Sequence, residues 1–194
     1  MQISQSKNIG RENQPLNLKP LKFILWVIIV SVIMMFAGLT SGYIVRKAEG
    51  NWVQFDLPIL FWITTLIIIL SSATMHWAYL SAKKSDYKSQ RIALWITLIL
   101  GTLFLIGQYL AWVQLTDIGI YLTGNPSGSF LYIISGLHGL HILAGLGLIA
   151  TSLIVAYKNI GQVKNLFRVE ICAIFWHFVD ILWIYLFVFL LLNQ

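Results

Sequence analysis

His177 and Asp180 interrupt a stretch that is otherwise almost purely apolar, Glu170–Leu192, and they are the residues here best equipped for chemistry. At ~1.5 Å per residue, a helix over that stretch crosses a bilayer core of ~30 Å. Asp180 then sits near mid-membrane, where an acid costs ~2.5–3.5 kcal/mol on insertion scales. Three residues apart on a helix, the two side chains share a face and can satisfy one another. Such a pair serves as a polar clamp that fixes helix packing, as a proton relay or as a ligand site.

A second group is Ser135, His138, His141 and Gly145. At 100° per residue they fall on one arc of about 120°, a polar and small stripe turned away from lipid. Histidines on different membrane helices ligate haem in membrane cytochromes, so a small haem-b cytochrome is one alternative class, and a two-histidine metal site is another. Depth weighs against both. His138 and His141 lie ~12 and ~17 Å from the outer end of their span, and only His141 is placed to meet His177. His76, beside Trp77 and Tyr79, reads as part of an interfacial aromatic belt. Gln108 is an amide that can bridge helices but cannot shuttle protons alone. Cys172 is the only cysteine, which excludes an internal disulfide and a multi-thiolate metal site. The sequence shows no nucleotide loop, nucleophile–base set or carboxylate pair. Nor does it show the repeated halves and interrupted helices of transporters.

The elements that position these residues are membrane helices. Of the 194 residues, 58% are hydrophobic and only 10% charged, which places the chain in the membrane class. Five stretches are long enough to cross: about 22–45, 57–80, 92–115, 130–156 and 170–192. The expected fold is therefore an all-α integral membrane bundle over residues 22–194, preceded by a polar cytoplasmic tail, residues 1–21. That tail holds Pro15 and Pro20, and the first apolar run is a full spanning length with no small-residue cleavage pattern, so a cleaved signal peptide is not expected. Ala37, Gly38, Ser41 and Gly42 form two interlocked small-xxx-small pairs suited to a close helix neighbour. Pro58 is expected at a helix start. Asn125-Pro126-Ser127 is no glycosylation acceptor, because proline holds its middle position.

The thirteen basic residues divide unequally. Lys7, Arg11, Lys19, Lys22, Lys83, Lys84, Lys88, Arg91, Lys158, Lys164 and Arg168 fall on one side, and only Arg46 and Lys47 on the other. The positive-inside rule then gives a cytoplasmic N-terminus and an outer C-terminus. The net charge of +6 is a topology signal and needs no nucleic-acid partner.

The order of these stretches resembles subunit III of the haem-copper terminal oxidases in its five-helix bacterial form. Trp176-His177-Phe178-Val179-Asp180 with Trp183 matches that family's last-helix signature, and Glu170 stands in the place of a family glutamate. Gly136-Leu137-His138-Gly139-Leu140-His141, with Gly128-Ser129-Phe130 before it, matches the preceding helix. Gly101, Phe104 and Gln108 resemble its Gly-xx-Phe-xxx-Gln, and Ser71-Ser72 with Thr74 and Ala78 its serine pair. The likeness runs over roughly residues 24 to 192. Two departures stand out: Val32 replaces a buried glutamate, and Ala111 stands where a polar residue often precedes Trp112. The roles of those acids do not carry over.

The resemblance implies a non-catalytic accessory subunit of a cytochrome c oxidase, a multi-pass protein of a bacterial cytoplasmic membrane. It implies no haem or copper in this chain, those groups belonging to partner subunits. The implied partners are catalytic subunit I, other oxidase subunits and bound phospholipid, with a respiratory supercomplex as a wider setting. Support of assembly, oxygen and proton access and sustained turnover is the implied role. His138, His141, Trp176, His177, Asp180, Glu170, Gln108 and Ser135 are then structural, lipid-contacting or subunit-contacting residues. A quinol oxidase subunit is the alternative within the same resemblance.

Overall fold

The computed structural model describes residues 19–53, 55–158 and 161–193. Five helices follow in order: α1 (Lys19–Ala48), α2 (Leu60–Lys83), α3 (Tyr87–Asp117), α4 (Pro126–Tyr157) and α5 (Gln162–Leu192). All five are long and apolar enough to cross a membrane. Most of the tail expected over residues 1–21 lies outside the described residues, and its last three belong to α1.

Why the bundle forms is written in its buried positions. On α3 the buried stripe includes Gln90, Leu94, Thr97, Gly101, Phe104, Gln108, Ala111 and Leu115, spaced alternately by four and three. On α2 it is Phe61, Thr64, Ile68, Ser71, Met75, Ala78 and Ala82. On α5 the same alternation picks out Asn165, Val169, Cys172, Trp176, Val179, Trp183, Leu186 and Leu190. A 3.5-residue period keeps one seam turned toward a neighbouring helix along its whole length, as in coiled coils. Lipid tails are as apolar as leucine, so the seams gain by tight packing and interhelical hydrogen bonds rather than by escape from water. Gly107 lets α2 and α3 close up, since a Cβ there would overlap Thr64.

The helices α2 to α5 pack as a four-membered bundle with α2 beside α3 and α5, and α4 beside α3 and α5. α1 stands apart, touching α4 and α5 and, among the described residues, nowhere bringing its backbone near α2. Its attachments are a second apolar cluster, in which Val32, Phe36 and Tyr43 meet Ile134, Leu182, Leu186 and Leu190, and polar contacts at each end. At one end Lys22 pairs with Glu170 at 2.7 Å. At the other, Lys47 Nζ and Tyr43 Oη donate to the Asn193 carbonyl at 2.7 and 3.0 Å, taking up a free carbonyl at the end of α5.

The helices run past the apolar stretches read from the sequence. α5 begins at Gln162 because polar side chains there find partners within the bundle: Gln162 Nε2 donates to the Ala82 carbonyl at 2.8 Å, and Tyr87 Oη to Gln162 Oε1 at 2.8 Å. Pro58 lies two residues ahead of Leu60, the first residue of α2, rather than in its first turn, and its carbonyl accepts from the Phe61 amide at 3.0 Å. Pro126 does open α4, behind Asn125, whose side chain accepts from the Ser127 amide.

Candidate functional site

The residues singled out by the sequence converge where α5 packs on α2, α3 and α4. Trp176 is the centre. It is fully buried, and its Nε1 donates to Ser71 Oγ on α2 at 3.0 Å. Its ring fills the space left by two glycines. A Cβ on Gly101 would lie 2.7 Å from the indole, and one on Gly145 would lie 2.9 Å from it. One aromatic ring thereby sets the spacing of three neighbouring helices.

Two turns further, Trp183 and His138 form another layer. The His138 ring stacks on Trp183 with centroids 4.9 Å apart and meets the edge of Phe104 at 5.7 Å. Neither ring nitrogen of His138 has a hydrogen-bond partner among the described residues. Trp183 Nε1 donates to Thr65 Oγ1 at 3.0 Å. Gln108 Nε2 donates to Thr64 Oγ1 at 3.0 Å, tying α3 to α2. Ser135 Oγ accepts from Trp112 Nε1 at 3.1 Å and donates to the Leu131 carbonyl at 2.6 Å. Glu170 belongs to the α1 attachment rather than to this core.

Two expectations about the histidines are corrected. His177 does not pair with Asp180: its Nδ1 lies 2.7 Å from Ser72 Oγ on α2, while neither Asp180 oxygen has a hydrogen-bond partner among the described residues. Sharing a helix face fixed which side the two groups point to, but an adjacent hydroxyl met the imidazole first. Nor does His141 meet His177. The polar stripe on α4 splits, with Ser135, His138 and Gly145 buried in the bundle and His141 turned to α1, where its ring meets Phe36 at 5.7 Å and its Nδ1 lies 2.7 Å from the Leu137 carbonyl. The histidine near His177 is His76, with ring centroids 6.2 Å apart, although His76 also keeps the expected company of Tyr79 at 6.4 Å.

Sequence reading missed a buried amide pair. Gln90 and Asn165, both fully buried, exchange two hydrogen bonds of 3.0 and 2.9 Å between α3 and α5. Beside it, Arg91 donates twice to the Ala156 carbonyl on α4, at 3.1 and 2.6 Å. Both amides lie outside the apolar stretches and among basic residues, which made them look like surface. Their alignment with the heptad seams of α3 and α5 was the signal. Among the described residues, no group of three or more His, Cys, Asp and Glu is placed to hold a metal ion.

Comparison with known proteins places this architecture. The family model for cytochrome c oxidase subunit III matches residues 51–193. A protein named cytochrome c oxidase subunit 3 from Thermostichus vulcanus is 34% identical over 84% of this chain and 82% of its own length. A probable cytochrome c oxidase subunit 3 from Nocardia farcinica is 32% identical over 90% and 87%. A cytochrome c oxidase subunit 3 from Alkalihalophilus pseudofirmus is 30% identical over 78% and 73%. On a five-span bundle held together by the signature residues of its last two helices, these matches show that the chain belongs to the cytochrome c oxidase subunit III family.

Proposed function

We propose that this chain is the non-catalytic accessory subunit III of a bacterial cytochrome c oxidase, a multi-pass protein of the cytoplasmic membrane with its N-terminus in the cytoplasm. The observation that carries the reading is how the signature residues are used. Trp176, Ser135, Gln108 and His138 are spent on contacts between helices, and the groove that Gln108 and Ser135 also line between α3 and α4 is otherwise walled by apolar and small side chains such as Leu105, Gly139, Leu140 and Leu143. The chemistry of oxygen reduction then belongs to partner subunits, which hold the haem and copper, and this chain packs against catalytic subunit I. A respiratory supercomplex is the wider setting.

Phospholipid fits the open side. α1 and α2 diverge over α5, whose Ile181, Ile184 and Tyr185 are exposed between attachment points. Lys22, partly exposed at one end of that opening, suits an anionic headgroup. Lipid there would fill a wedge that protein leaves open and would hold α1 against the bundle.

The test is purification through a tag on this chain from mildly solubilised membranes. Haem-containing oxidase should accompany it, and the chain expressed alone should give no Soret band. A stoichiometric Soret band in the chain alone would turn the reading toward a haem-b cytochrome.

A further inference from the structure

Two cavities open along the seam between α3 and α4. They share Trp112 and Gly136, so that together they form one groove. The outer one, of about 820 Å³, has Tyr121 and Thr123 at its mouth. The inner one, of about 260 Å³, runs past Gly139 to Leu143. From Ile133 to Leu143 the groove follows α4 for ~15 Å, at ~1.5 Å per residue. Among the described residues, no charged side chain lines it.

An amide and two glycines make it more than a gap. Gln108 is 4% exposed and lines the inner cavity. Its Nε2 is spent on Thr64, and its Oε1 has no hydrogen-bond partner among the described residues. A buried amide oxygen is expected to meet a donor. The glycines, for their part, are not required by packing inside this chain. A Cβ on Gly136 would come no nearer than 3.6 Å to Trp112, and one on Gly139 no nearer than 3.7 Å to Leu105, both ordinary contacts. Gly101, Gly107 and Gly145 are different, since a Cβ on any of them would overlap a neighbouring side chain. Glycine is a poor helix former, so two glycines that internal packing does not demand leave room for something outside the chain.

Lipid and protein would use such a groove differently. An acyl chain adapts to a shallow or a deep wall alike and brings no donor to Gln108. A helix gains from both features. Ser135 and Gly139, four residues apart and both on the groove wall, form a small-xxx-small pair that lets a second backbone approach closely. Side chains with hydroxyl or N–H groups then hydrogen-bond across membrane helices. We propose that the groove between α3 and α4 receives a membrane-spanning helix of a partner oxidase subunit, uncharged where it lies in the groove and carrying a hydroxyl- or N–H-bearing side chain where it passes Gln108. The inference rests on the accessory-subunit reading and adds to it the face by which the chain is held.

The experiment places a photo-crosslinking benzophenone residue at Leu140, in the inner cavity with Gln108, or at Ile133 in the outer one, within the assembled oxidase. Both positions are exposed in this chain. Irradiation should join each to a membrane-spanning peptide of another oxidase subunit. The peptide caught at Leu140 should carry Ser, Thr, Tyr, Trp, Asn or Gln within one turn of the joined residue. Adducts with lipid alone, with a second copy of this chain or with nothing would overturn the proposal, as would a peptide without such a donor. Gly139→Leu, which fills the groove, should lower retention of the chain in the purified oxidase by about tenfold, an overpacking effect. Gly147→Leu, at a glycine with open space around it outside the groove, should be retained like the native chain. Equal retention of the two variants would also overturn the proposal. If Gly139→Leu does not insert in the membrane, the crosslinks decide alone. Failure of the native tagged chain to bring haem-containing oxidase with it would instead defeat the accessory reading itself, so the two failures are distinguishable.

Discussion

At the scale of single residues, Trp176 does most to fix the bundle, because its ring occupies volume that Gly101 and Gly145 give up. Gly101→Val should therefore force the indole or α3 to move and cost ~1–3 kcal/mol as overpacking. Reduced retention of the subunit in the purified oxidase is the measurement. Adding Trp176→Phe, which shortens the ring, should restore part of the loss, whereas Trp176→Phe alone should be harmful because it opens a void and frees Ser71 Oγ. A second prediction follows from the corrected partners of His177. Since Ser72 and not Asp180 bonds the imidazole, Asp180→Leu should leave the subunit in place, while Ser72→Val should orphan His177 at a cost of ~1–3 kcal/mol. Subunit retention for the two variants checks this, and the opposite order would restore the direct pair. The sequence was informative here about side-chain type and face and silent about partner. Asp180 at i+3 and a serine on another helix compete for the same nitrogen, and only the interhelical distance decides between them.

At the scale of elements, the alternation of four and three that runs through the buried positions of α2, α3 and α5 is legible in the spacing of the residues themselves. Apolar length alone marked the crossing stretches but not the helix ends, because the ends are set by polar contacts that hydropathy cannot see. Gln90 and Asn165 are the clearest case. Replacing Gln90 alone by Leu should strand the Asn165 amide in the core and cost ~1–3 kcal/mol, whereas the double change to Leu should be close to neutral. Thermal dissociation of the subunit from the complex would measure both. The start of α3 carries a pH-dependent element. Asp86 caps it, accepting from the Ser89 amide at 3.2 Å, and the Ser89 hydroxyl, followed by that amide, holds the carboxyl below its ordinary range. A depressed folded-state value means that the capping contribution is complete above the unfolded carboxylate range and is lost as pH falls through the folded value. Protection from hydrogen exchange in the first turn of α3, taken relative to the intrinsic rate at each pH, should fall on acidification below pH ~4. Asp86→Ala should show the lower protection at neutral pH too.

At the scale of the whole molecule, antiparallel neighbours put the start of α1, the α2–α3 turn and the approach to α5 at one end of the bundle. Contacts tie those segments together: Lys22 to Glu170, Tyr87 to Gln162, and Gln162 to the Ala82 carbonyl. The other end is closed by Lys47 and Tyr43 on Asn193, and by Asn125 Nδ2 donating to the Asn51 carbonyl at 3.1 Å. Five spans and the two-ended sorting of basic residues were readable from composition and spacing. The detachment of α1 from α2 was not, because small-xxx-small positions such as Gly38 say that a close neighbour is allowed, and Gly38 in fact has open space around it. The bundle has no intrinsic up or down, so orientation rests on charge. Among the described residues, nine Lys and Arg belong to the end that holds Lys22, Lys83 and Arg168, against Arg46 and Lys47 at the other. Each basic residue held on the cytoplasmic side adds to the same preference, and the imbalance is large enough that no single substitution should invert it. A reporter active only outside the cytoplasm should therefore work when fused after Gln194 and fail when fused after Lys158. A reporter active only in the cytoplasm should do the reverse. Cytoplasmic activity after Gln194 would require either an inverted bundle or a span that does not cross, and the Lys158 fusion separates the two: an inverted bundle places that site outside.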